Sequence, residues 1–81
     1  MMKSIMEIKE QQISELKALI DWAGNQTRLA HYLNIAPQVV SNWVARGRIS
    51  ASMAIEVEKV TNGAFTKRQL RPDVINWIDE E

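Results

Sequence analysis

The chain has 81 residues, no cysteine, and ten basic against ten acidic side chains, which bounds it to one small, formally neutral domain. The missing cysteines exclude a disulfide framework and a cysteine-ligated zinc, and 46 % hydrophobic residues with three tryptophans exclude a disordered chain. No stretch approaches the roughly 20 apolar residues that span a bilayer, and Glu7 and Glu10 interrupt any secretory apolar run, so a cytoplasmic protein with no membrane partner is expected.

Ile13, Leu16, Leu19, Ile20 and Ala23 recur at helical spacing before Gly24, which predicts a first helix over about residues 10–23. Ile5 and Ile8 could extend it, whereas the lack of a clear cap lets residues 1–10 read equally as a frayed extension. Asn25 can cap a second helix over about 26–33, with Leu29, Ala30 and Leu33 turned inward. Asn34 ends it, because asparagine accepts the left-handed backbone of a sharp helical turn. Pro37 suits the first position of a third helix, where its missing N–H is not needed. Gly47 closes that helix after about Ala45, and Val40, Trp43 and Val44 share its expected buried face.

Ser50 can cap a fourth helix over about 51–61, with Ala54, Val57 and Val60 buried and Asn62-Gly63 as its stop. Thr66 and Gln69 have capping-box spacing for a short fifth helix, and Pro72 could begin a last turn through Val74 to Ile78. No repeat, linker or convincing strand interrupts this order. The expectation is an all-α compact bundle of about five short helices, a single domain over 1–81 with an N-terminal extension at 1–10 and a C-terminal tail at 72–81.

Gln26 to Trp43, QTRLAHYLNIAPQVVSNW, has the pattern of a helix-turn-helix. Ala30 is small enough for the two helices to cross closely, and Ile35 can anchor the turn. Gln38, Ser41, Asn42 and Ala45 fall opposite the apolar face of the third helix. Gln and Asn amides can pair with adenine N6 and N7, Ser can donate or accept, and Val39 can meet a thymine methyl. Charge is distributed to match. Residues 1–21 carry three basic and four acidic side chains, residues 22–55 carry Arg28, Arg46 and Arg48 with no acid, and residues 56–81 carry four basic and six acidic. A surface free of carboxylates is the one a phosphate backbone tolerates best.

QTRLAHYLNIAPQVVSNW resembles the helix-turn-helix of phage Cro and repressor proteins. The downstream Arg46-Gly47-Arg48-Ile49, Val57-Glu58, Thr61, Gly63, Thr66 and Leu70-Arg71-Pro72-Asp73 extend the resemblance, over about residues 16–77, to the Cro-like YdaS group of prophage regulators. The resemblance implies a lambda-repressor-like fold and double-stranded DNA as partner. It implies that Gln26 contacts a phosphate, with Thr27 beside it in the DNA-binding set. Pro37, Gln38, Val39, Ser41 and Asn42 then lie along the major groove, and Arg46 and Arg48 flank it on the backbone. Asn34 departs from a common glycine, and Ala36 from a capping Ser or Thr whose loss costs about 1 kcal/mol.

Other residues read more plainly. His31 stands alone without cysteine and is a poor metal ligand. Trp43 belongs in the core, and Trp22 is at least partly buried. Arg28 either meets DNA or pairs with Glu56 or Glu58. Trp77, with Ile75 and Ile78, either folds back on the first helix or forms a dimer contact. Arg71 and Asp73 organise the tail. No catalytic constellation, cofactor site or small-molecule site is evident. The expected function is a sequence-specific transcriptional regulator, a prophage repressor acting as a homodimer on a palindromic operator. The alternative is a YdaS-type antitoxin or other module that acts on a partner protein.

Overall fold

The computed structural model describes residues 5–74, and these form five helices: α1 (Ile5–Ala23), α2 (Gln26–Leu33), α3 (Pro37–Arg46), α4 (Ala51–Val60) and α5 (Lys67–Leu70). No strand occurs among the described residues. α1 starts at Ile5 rather than near residue 10, so the apolar spacing of Ile5 and Ile8 does continue the helix.

Each boundary has a local cause. The Asn25 side chain accepts from the Arg28 N–H at 2.8 Å and starts α2. Asn34 takes the left-handed conformation (φ 57°, ψ 46°), and Ile35 N–H closes on Ala30 O at 3.0 Å. Asparagine thus does what glycine usually does at a helix end. Pro37 opens α3, and Ala36 before it makes no side-chain cap. Ser50 accepts from Met53 N–H. Thr66 and Gln69 form the reciprocal capping box, at 3.1 Å and 2.9 Å.

α2 is the hub, packing on α3, α1 and α4, and α5 closes the bundle against α1 and α4. The core joins Leu16, Leu19 and Ala23 of α1 to Leu29 and Ala30 of α2 and to Val40 and Trp43 of α3. Ile49, Ala54, Val57 and Leu70 complete it. Trp43 is 1 % exposed and is the largest of the fully buried side chains.

Two expected core residues, Val44 and Val60, are corrected, and Ile13 of the α1 apolar stripe is uncovered as well. Ile13 and Val44 are more than 40 % exposed. α1 and α3 are not closely packed on each other, so both residues sit on the rim of the shallow cleft between them. Val60, the last residue of α4, is also exposed. Its expected place is taken by Thr61, whose buried hydroxyl donates to Val57 O at 2.8 Å and accepts from Phe65 N–H at 3.1 Å.

The uncapped start of α3 yields a stability prediction. The extended backbone at Ala36 suits a capping side chain, so Ala36→Ser should stabilise by about 1 kcal/mol. For a domain of this size that is about 4–8 °C in Tm, read by thermal denaturation. An unchanged or lower Tm would mean that the added hydroxyl does not cap α3.

Candidate nucleic-acid interface

One face of α3 is committed to the core through Val40 and Trp43, which leaves the opposite face to water. Gln38, Ser41, Asn42, Ala45 and Arg46 are exposed there, with Pro37 at its start. Thr27 is exposed at the start of α2. Val39 is different. It is half-buried and packs against the core, so it offers a base only part of its side chain.

The polar side chains are brought together in pairs. Ser41 Oγ donates to Gln26 Oε1 at 3.1 Å, joining the first turn of α2 to the outer face of α3. Gln38 Nε2 donates to Asn42 Oδ1 at 3.1 Å, one turn apart along α3. Four of the expected site residues therefore form two neighbouring hydrogen-bonded pairs.

The arginines divide. Arg46 ends α3 and is exposed. Arg48 lies beyond the left-handed Gly47 (φ 84°) and approaches Asp73 at 3.6 Å, with half of its side chain still open to solvent. Arg28 is exposed, and neither expected acid holds it. Glu56 lies 3.8 Å from Lys59, and Glu58 accepts from the Lys67 backbone N–H at 2.7 Å.

A clasp fixes the loop that carries Arg48. Arg71 grips Asp73 through Nε and one terminal nitrogen, both at 2.8 Å, and its other terminal nitrogen donates to Ile49 O at 3.1 Å. Gln12 of α1 donates to the same Asp73 carboxylate at 2.8 Å. Hydrogen bonding to Arg71 holds the Asp73 carboxyl below its ordinary range and raises the Arg71 guanidinium. Arg71 and Asp73 thus join each other to α1 and to the Ile49 carbonyl, while the tail beyond Val74 that they were expected to organise lies outside the described residues. Gln12 was missed, although it lies on the Leu16–Leu19–Ala23 stripe, where a buried polar side chain needs a partner.

An aromatic cluster lies outside this interface. Trp22 meets Tyr32 at 5.3 Å between ring centroids and Phe65 at 6.4 Å, edge-on. Trp22 and Tyr32 remain about half exposed. Trp77, with Ile75 and Ile78, lies outside the described residues. Among the described residues no helix is long and apolar enough to cross a membrane, and no group of His, Cys, Asp or Glu is placed to hold a metal.

Comparison with known proteins agrees with this architecture. The family model described as bacterial toxin YdaS matches residues 16–78. The Cro protein from the putative prophage element Xfaso 1 of Xylella fastidiosa strain Ann-1 is 43 % identical, with a TM-score of 0.69 over 75 % of this chain and 94 % of that one. No curated protein matches.

The clasp predicts a pH dependence. A carboxyl whose folded pKa is depressed contributes stability that is complete above its unfolded value, about 3.9, and is lost as pH falls through the folded value. Denaturant unfolding of the parent and of Asp73→Asn should differ constantly above about pH 5, and the difference should shrink on further acidification. A difference independent of pH would show that the Asp73 charge is not what the clasp uses.

Proposed function

The chain belongs to the family described as bacterial toxin YdaS and has the fold of a prophage Cro protein, and from that premise we propose that it is a sequence-specific DNA-binding transcriptional regulator. It inserts α3 into the major groove of a palindromic operator and represses by occupancy. The observation that carries this reading is the outer face of α3. Gln38, Ser41 and Asn42 stand exposed on a helix whose other face is locked in the core, within 34 residues that contain no acid. An ordinary solvated helix needs no such separation of charge. A groove-reading helix does, because a carboxylate beside a phosphate backbone is repelled.

The roles divide by chemistry. Gln38, Ser41 and Asn42 meet base edges, and Val39 touches a thymine methyl with the part of its side chain that is open. Gln26, Thr27 and Pro37 bound the contact at the starts of α2 and α3. Arg46 and Arg48 contact phosphates and set the register. Arg48 exchanges a weak, solvent-open contact with Asp73 for a phosphate. One recognition helix reads only a few base pairs, so two copies act on half-sites about 34 Å apart. The protein works by binding, without cofactor or catalysis, on cytoplasmic DNA.

A second reading has its own support in the family's description as a toxin and in the half-exposed Trp22 and Tyr32 rings, which pack on each other. In it the chain acts on a partner protein. The description is of a toxin, whereas the family resemblance implied an antitoxin as the alternative. A tight protein complex that survives loss of Gln38, Ser41 and Asn42 would favour this reading.

Selection of bound DNA from a random pool tests the first reading, and a palindromic motif is the expected result. Gln38→Ala should cost about 1–3 kcal/mol at one base position. Arg46→Ala should weaken all sequences alike and reduce the salt slope by about one. Failure to enrich any sequence would overturn the DNA reading.

A further inference from the structure

Gln38 and Asn42 are spaced one turn apart on the open face of α3, and Gln38 Nε2 donates to Asn42 Oδ1 over 3.1 Å. Among the described residues neither side chain has another hydrogen-bond partner. A free Gln or Asn amide offers a base one donor and one acceptor from the same side chain, the arrangement that fits adenine N6 and N7. The bond between them changes what each can offer. It takes one N–H from Gln38 and one acceptor site from Asn42. Gln38 keeps its carbonyl oxygen and one N–H, Asn42 keeps both N–H groups of Nδ2 and one acceptor site, and the bond fixes the two amides relative to each other. Exchanging oxygen and nitrogen in both amides only reverses which side chain gives up a donor and which an acceptor site.

We propose that Gln38 and Asn42 act as one composite reader, an acceptor and a donor carried on two side chains, that recognises a single adenine. Adenine N6–H donates to Gln38 Oε1, and adenine N7 accepts from Asn42 Nδ2. This inference rests on the DNA-binding reading above and names the base that its central contact selects. Guanine in the same position presents N7 and O6, two acceptors, so the Gln38 oxygen would face a like group. In water an amide pair at this spacing is only weakly held. In a desolvated groove the hydrogen bond strengthens, and the pair and the base polarise one another. Loss of either residue removes one of the pair's two bonds to the base and also the fixed orientation of the survivor, whose side chain must then be ordered anew on the base. The two residues therefore fail together.

The test uses DNA selected from a random pool by the parent, Gln38→Ala, Asn42→Ala and the double variant, with affinities measured on the parent's motif. Both single variants should relax the same adenine position and weaken binding about 10- to 100-fold. The double variant should weaken it about as much as either single, not by their product. Relaxation at two different positions, multiplying losses, or single variants that bind like the parent would overturn the composite reader while DNA binding stands. A parent that enriches no sequence overturns the DNA reading itself. Both side chains are exposed, so unchanged circular dichroism is expected and separates a lost contact from a lost fold.

Discussion

Burial of Val40 and Trp43 in a core shared with Leu29 and Ala30 is the constraint on which the molecule depends. It fixes the rotation of α3 about its own axis, and rotation decides which side chains face water. A helix with one buried stripe must present the opposite stripe outward. Gln38, Ser41 and Asn42 are exposed because Trp43 and Val40 are not. α2 enforces this, since it packs on α3, α1 and α4 together. Ala30 matters as much as the large residues, because a small side chain lets the two helix backbones approach.

The open face is organised by hydrogen bonds that do little for folding. Gln26–Ser41 and Gln38–Asn42 are both exposed, and a pair one turn apart such as Gln38–Asn42 contributes only about 0.2–0.5 kcal/mol to its helix. Their consequence is orientation. The Arg71–Asp73 clasp works differently. It ties α1, the Arg48–Ile49 loop and the chain beyond α5 through one carboxylate. The loop leaving α3 is thereby held by residues more than 20 positions away in sequence. Fold and candidate interface are joined at that point.

Local chemistry was the legible part of the sequence. Asn25, Ser50 and Thr66 cap as their positions suggest, and Asn34 turns left-handed where the turn demands it. The apolar stripes located most of the core. They failed at Val44, Ile13 and Val60, because helical spacing says which residues share a face and not how far the neighbouring helix extends to cover it. Thr61 was hidden for a related reason: its burial is compensated by two backbone partners that no local pattern announces. The outward face of α3 could be read directly, but the pairing of its side chains could not. Gln26 and Ser41 are 15 residues apart, and only the crossing of α2 and α3 brings them together. The pairing of Arg48 with Asp73 is likewise a matter of three-dimensional approach.

The claim that the outer face of α3 is the DNA surface is tested most directly by titrating the isotopically labelled protein with its selected duplex and following its nuclear magnetic resonance spectrum. The largest changes are expected at Gln26, Thr27 and residues 38–48, including the side-chain amides of Gln38 and Asn42. Changes concentrated instead at Trp22, Tyr32 and Phe65, with the α3 amides unmoved, would contradict it.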